Sequence, residues 1–85
     1  MKVVAFYRFL DVADPQSLRD DLLARCRQHG LLGTVLVAAE GVNGTLAGSE
    51  DGLHAVLGWL GRRLGVDGPL EGRWTDADDA PFRKL

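Results

Sequence analysis

The 85-residue chain can form at most one small domain. A chain of this length buries only about 60–65% of the surface that it exposes when unfolded, so its core is thin. Ten basic and twelve acidic residues give a net charge of −2, which excludes a general attraction to nucleic acid. Any RNA contact therefore needs a local basic patch or basic surface from another domain. One cysteine, Cys26, excludes an internal disulfide and a zinc site built from several cysteines, and no apolar run is long enough to cross a bilayer.

The first predicted element is a strand over Val3 to Leu10, with the sequence VVAFYRFL. Both of its faces are largely apolar, which is typical of a central strand. Tyr7 and Arg8 are candidates for binding, since an aromatic ring can stack on a base and a guanidinium can pair with phosphate. The alternative is structural, with the ring packed in the core and Arg8 lying over the open face of the sheet.

The next predicted element is a helix from about residue 15 to residue 29. Asp14 is suited to the N-cap, Pro15 to the first helical position and Gly30 to a left-handed end. Cys26 falls on the apolar stripe of the last turns, where the helix dipole disfavours a thiolate. Because free cysteine packs like a small hydrophobe, we predict a buried structural thiol and not a nucleophile.

An apolar run with β-branched residues predicts a second strand over Gly33 to Ala39. Asn43-Gly44 is a strong turn signal, because both residues tolerate positive φ. A short third strand is then expected over Thr45 to Gly48, and the two strands form a hairpin.

The connection between these strands is the most informative stretch for function. Glu40 directly follows five apolar residues and stands close to Gly41, Asn43, Gly44 and Thr45. An acid at a strand end beside hydrogen-bonding groups can form a small recognition edge. The alternative is a plain hairpin connection, which explains Gly41, Asn43 and Gly44 but not the acid.

A second helix is predicted from Ser49, the N-cap, to Gly65, which ends it. Apolar residues recur at helical spacing between them, although Gly52, Gly58 and Gly61 each weaken a helix by up to ~1 kcal/mol relative to alanine.

The tail is predicted to contain a short strand over Arg73 to Thr75 and a polar turn over Asp76 to Pro81. Residues Phe82 to Leu85 alternate like the start of another strand, which we interpret as a sign that the chain is a fragment of a longer protein.

The element order β-α-β-β-α-β predicts an α+β fold, the ferredoxin-like plait, with two helices on one face of an antiparallel sheet. His29 and His54 lie on different helices without a carboxylate at metal-ligand spacing, and the acidic stretch from Asp76 to Asp79 lacks most of a calcium loop. We therefore expect no metal, no cofactor and no membrane contact, and the cysteine content favours a cytoplasmic location.

Three stretches resemble one family in order along the chain, namely AFYRF at 5–9, GTVLVAAEGVNGTLAG at 33–48 and PFRKL at 81–85. The chain resembles the N-terminal domain of the rhodanese-related sulfurtransferase-like proteins described as tRNA uridine-34 hydroxylases. This resemblance implies a ferredoxin-like module similar to acylphosphatase in fold. It also implies a following rhodanese domain with the reactive cysteine, and oxygen-dependent hydroxylation of the tRNA wobble uridine.

The resemblance implies no catalytic residue within these 85 residues. It carries over only the motif from Glu40 to Thr45, as an edge that faces the substrate or another domain. We expect tRNA and the downstream rhodanese domain as partners of the full-length protein. A purely structural interdomain module is the alternative, and a small acylphosphatase-type hydrolase is a further one. Against the hydrolase, the loop from Asp11 to Pro15 is acidic and lacks glycine, and Asn43 is expected in a turn.

Overall fold

A computed structural model describes residues 1–76 of the chain. It contains four strands and two helices, in the order β1 (Lys2–Phe9), α1 (Pro15–Gln28), β2 (Leu32–Ala38), β3 (Gly41–Gly48), α2 (Glu50–Leu64) and β4 (Gly72–Asp76).

The strands form one sheet in the order β2-β3-β1-β4, and every neighbouring pair is antiparallel. Both helices pack on the same face of this sheet. The predicted ferredoxin-like plait is therefore confirmed, with β1 as a central strand. One apolar face of β1, with Val4 and Phe6, packs in the core, whereas the other face carries the exposed rings of Tyr7 and Phe9.

The ends of both helices follow the predicted capping. The Asp14 carboxylate accepts a hydrogen bond from the Ser17 N–H at 3.1 Å, and the Ser49 hydroxyl accepts one from the Gly52 N–H at 3.1 Å. Gly30 and Gly65 follow the helices with φ of 66° and 75°, values that glycine adopts without steric cost. Local sequence signals therefore set the helix ends to within a residue of their predicted positions.

The hairpin differs from the prediction in its register. The turn consists of Ala39 and Glu40, while Asn43 and Gly44 lie inside β3, opposite Tyr7 and Phe6 of β1. Gly44 serves packing and not a turn, because an added Cβ would lie 2.7 Å from the Thr34 carbonyl oxygen and 2.9 Å from Cζ of the Phe6 ring. The Asn-Gly turn signal was therefore overruled by burial of that ring.

The core lies between the sheet and the helices. Its fully buried large side chains come from both layers: Val4, Leu18, Leu22, Cys26, Leu46, Leu53, Val56 and Leu60. Two of the α2 glycines are explained by close approach. A Cβ at Gly52 would lie 2.9 Å from the Ser49 hydroxyl, and one at Gly61 would overlap the carbonyl of Gly68. Nothing in the structure explains Gly58.

The predicted strand over Arg73 to Thr75 is present as β4, which also includes Asp76. The rest of the predicted polar turn and the predicted strand over Phe82 to Leu85 lie outside the described residues. Within residues 1–76, neither helix is long and apolar enough to cross a membrane.

Candidate sheet-face site

The helices leave one face of the sheet uncovered, which we call the open face. The described residues on it are Val3, Ala5, Tyr7, Phe9, Leu32, Thr34, Leu36, Ala38, Gly41, Asn43, Thr45, Ala47, Arg73 and Thr75. Exposure rises along β1 towards the hairpin turn: Val3 is 8% exposed, whereas Tyr7 is 69% and Phe9 78% exposed. The half of the face beside the turn is therefore the half that is available for contacts.

Strand register brings three of these side chains into one row. Tyr7 lies opposite Asn43, and Asn43 lies opposite Leu36, which is 66% exposed. The rings of Tyr7 and Phe9 meet edge to face, with centroids 5.6 Å apart. Together with Ala38, the residues Tyr7, Phe9 and Leu36 form an exposed cluster, here called the apolar patch.

Two grooves meet at this end of the sheet and contain all seven residues predicted for the site. One groove, of about 760 Å³, is lined by Tyr7, Arg8, Asn43, Gly44, Thr45, Glu71 and Arg73 among others. The second, of about 580 Å³, adds Phe9, Leu36, Ala38, Glu40 and Gly41. The structure therefore places the predicted residues side by side, although they come from two strands and a turn.

The structural alternative for β1 is wrong in both parts. Tyr7 is exposed on the open face and is not in the core. Arg8 points away from the open face, because it has the parity of Val4 and Phe6, and it lies past the end of the helices in a cleft with Asp67 and Glu71. Two carboxylates in that cleft weaken the attraction of Arg8 for a phosphate.

Glu40, the acidic residue of the hairpin turn, lies at the edge of the second groove. Glu40 is exposed at the tip of the hairpin, next to Gly41, where a Cβ would overlap the Arg8 carbonyl. The backbone N–H of Leu10 donates to the Glu40 carbonyl at 3.1 Å, and that of Val12 donates to the Ala39 carbonyl at 2.8 Å. The loop after β1 thus uses these two amides on the hairpin and does not direct them into a cradle for an anion.

Cys26 is fully buried on the inner side of α1, as predicted. Burial raises the pKa of its thiol to about 11. Because the thiolate and not the thiol is the nucleophile, a group with this pKa is almost entirely unreactive at neutral pH. Cys26 therefore has neither the exposure nor the charge state of a catalytic cysteine.

Neither histidine belongs to a metal site in the described part of the chain, where no group of three or more potential ligands is found. His54 is exposed on α2 and stacks on Trp74 of β4, with ring centroids 4.6 Å apart. His29 occupies the C-cap of α1, where its N–H donates to the Arg25 carbonyl at 3.2 Å. The contacts of both histidines are therefore structural, a ring stack for His54 and a helix cap for His29.

The site also contains residues that were not predicted, among them Phe9, Leu36, Ala38, Glu71 and Arg73. The alternation of β1 was sufficient to find Phe9, since it shares a face with Tyr7. Leu36 and Arg73 depend on strand order and register, which no local pattern specifies. On the open face, Arg73 is the one charged residue among those that the structure describes.

Comparison with known proteins adds a family and named relatives. Residues 1–85 match the family described as "UPF0176 acylphosphatase like domain". The chain is 38% identical over 85 residues to a tRNA uridine(34) hydroxylase of Gluconobacter oxydans, covering 100% of this chain and 27% of that protein. It is 40% identical over 83 residues to the protein of that name from Teredinibacter turnerae (98% and 26%), and 41% over 83 residues to that of Roseobacter denitrificans (98% and 28%). The chain thus spans about a quarter of the length of these relatives.

Proposed function

This chain belongs to the UPF0176 acylphosphatase-like domain family, and we propose that it is the non-catalytic N-terminal module of an oxygen-dependent tRNA wobble-uridine hydroxylase. In this proposal a rhodanese domain of the full-length protein carries the reactive cysteine. The names and lengths of the relatives support the proposal, since tRNA uridine(34) hydroxylases match this chain over only 26–28% of their own length.

The observation that carries the non-catalytic role is the position of Cys26. Its side chain is fully buried in the helix layer, and burial raises the pKa of its thiol to about 11. Sulfur chemistry needs a thiolate within reach of a substrate, and Cys26 offers neither. In this proposal the reactive thiol belongs to another part of the full-length protein.

The module acts through the end of the sheet beside the hairpin turn. There Tyr7, Arg8 and the motif from Glu40 to Thr45 line the two neighbouring grooves. In the proposed role this end either positions the tRNA or holds the rhodanese domain. Exposed aromatic, amide and hydroxyl groups suit both tasks, because they stack on rings and exchange hydrogen bonds.

A strain that lacks the gene tests the proposal. Full-length protein should restore hydroxylation of the wobble uridine, measured by mass spectrometry of tRNA nucleosides, and residues 1–85 alone should not. Full-length protein with Cys26→Ala should also restore it, in proportion to the amount of folded protein. Hydroxylation by residues 1–85 alone, or its loss in a well-folded Cys26→Ala protein, contradicts the proposal.

A purely structural interdomain module is the second candidate, and the low charge of the open face favours it. Arg73 is the one charged side chain on that face in the described part of the chain, so the attraction for a polyanion is weak. Crosslinking of tRNA to the full-length protein separates the two roles. Crosslinks at Tyr7 or Asn43 support tRNA positioning, whereas crosslinks confined to the rest of the protein support the structural role.

An acylphosphatase-type hydrolase is the third candidate. Asn43 lies within a strand, so its expected place in a turn no longer argues against this activity. The loop after β1 still does, since it carries Asp11 and Asp14, and two of its amides are bonded to the hairpin. Turnover of an acyl phosphate that disappears in Asn43→Ala would establish the hydrolase.

A further inference from the structure

We propose that the apolar patch formed by Tyr7, Phe9, Leu36 and Ala38 is the contact through which this module packs against an apolar surface of the rhodanese domain, and that RNA does not occupy it. This inference rests on the proposed function and names the partner of the site.

The composition of the patch is that of a protein interface. Two aromatic rings and a leucine, each at least 66% exposed, line one groove. The residue between Tyr7 and Leu36 in the strand register is Asn43, which is polar but uncharged. Protein interfaces are enriched in aromatic side chains and depleted of charge at their centre, with polar groups at the rim. Glu40 at the turn supplies a charged group at such a rim.

The charges near the patch argue against RNA. An RNA surface needs a concentration of lysine and arginine, because neutralised phosphates supply much of the affinity. Here Arg73 is the one charged residue on the open face among the described residues, and Arg8 shares its cleft with Asp67 and Glu71. The local charges nearly cancel, so a polyanion gains little at this place.

The size of the patch indicates a partner within the same protein. Aromatic side chains bury roughly 150–250 Å² each, so the two rings and Leu36 at their observed exposure offer on the order of 400 Å². Stable complexes between separate proteins bury about 800 Å² on each partner. Interfaces between domains of one chain begin at roughly 600 Å² in total, or about 300 Å² on each side.

Covalent linkage explains why a contact of this size is sufficient. A short linker between domains produces an effective concentration in the millimolar range, so a weak contact is occupied most of the time. The relatives are long enough for a further domain, since about three quarters of their length lies outside the region that this chain matches.

Hydroxyl-radical footprinting of the full-length protein tests the inference. The oxidation rates of Tyr7 and Phe9 are measured with and without tRNA and compared with the rates in urea. If Tyr7 is buried from 69% exposure to less than a tenth of that value, its rate falls about tenfold, because oxidation follows the exposed area. We expect this protection without tRNA, and little further change when tRNA is added.

A pair of variants gives an independent measurement. Leu36→Glu places a carboxylate in the patch, and Ala24→Glu places the same charge on the exposed side of α1, in the opposite layer. In the full-length protein, Leu36→Glu should return Tyr7 to the oxidation rate of an exposed ring, while Ala24→Glu should leave Tyr7 protected.

Two results would overturn the inference. Tyr7 could oxidise rapidly without tRNA and become protected when tRNA is added, which would assign the patch to RNA. Tyr7 could also remain reactive under both conditions, which would leave the patch without a partner. Neither result affects the proposed non-catalytic role, which depends on hydroxylation in the complemented strain.

Discussion

Replacement of Cys26 by alanine should alter the pH dependence of stability, and the structure defines the size of the effect. The thiol is fully buried in the core, and burial raises its pKa from the ordinary value of 9.0 to about 11. The folded state therefore binds the thiol proton more tightly than the unfolded state does. The stabilisation from this difference is complete below pH 9 and is lost as the pH rises towards 11.

The magnitude follows from the two pKa values. Each factor of ten in proton affinity corresponds to about 1.4 kcal/mol, so the free energy of unfolding of the wild-type protein should fall by about 2 kcal/mol between pH 8 and pH 10.5 through Cys26 alone. Cys26→Ala lacks this titration. At neutral pH the variant should be less stable by about 1–2 kcal/mol, because removal of a buried heavy atom leaves a small cavity.

Urea unfolding followed by tryptophan fluorescence, at several pH values between 7 and 10.5, measures both proteins. The difference in their free energies of unfolding should shrink by about 2 kcal/mol between pH 8 and pH 10.5, so it should reach zero or change sign by pH 10.5. Lysine and tyrosine titrations do not affect this comparison, because both proteins contain them. Parallel curves would show that the thiol is not buried. A second measurement is alkylation at pH 8, where a pKa of about 11 lowers the thiolate fraction about a hundredfold relative to the ordinary value.

Four further substitutions test the packing of three glycines and one helix cap. Gly58→Ala should stabilise the protein by about 1 kcal/mol, because the nearest atom to an added Cβ lies 3.6 Å away; Gly61→Ala, its matched control on the same helix, should destabilise it by about 1–3 kcal/mol through overlap with a backbone carbonyl. Thermal and urea unfolding compare the two, and equal effects would contradict the close approach of the loop to α2. Gly44→Ala should cost about 1–3 kcal/mol by crowding the Phe6 ring, whereas an exposed turn position would leave the urea midpoint nearly unchanged. Ser49→Ala should cost about 1 kcal/mol through loss of the N-cap bond, and an unchanged midpoint would show that this cap does not stabilise α2.

The fold of this family is shared with acylphosphatase, but the arrangement around the first loop does not suit that chemistry. An anion cradle needs several backbone N–H groups directed at one point. Here the loop after β1 uses two of them on the hairpin and carries Asp11 and Asp14. A scaffold can be shared without its activity, because function belongs to the site and not to the fold.

The turn predicted at Asn43-Gly44 is wrong, because both residues belong to a strand. Asn43-Gly44 has the composition of a turn. The chain instead turns at Ala39 and Glu40, and Asn43 and Gly44 both lie within β3. The reason is packing, since glycine at position 44 is what allows the Phe6 ring to lie against the strand. A turn propensity is worth less than the burial of an aromatic side chain, which contributes up to about 3 kcal/mol.

The sequence alone determined the order of elements, both helix caps, the burial of Cys26 and the family resemblance. Each of these depends on residues close together in the chain, where spacing and side-chain chemistry act directly. Only the tertiary structure decided the register of β3, the side of the sheet on which Arg8 lies, and the presence of Phe9 and Leu36 in one groove. Those features depend on which strands are neighbours, and strand order is set by burial summed over the whole domain.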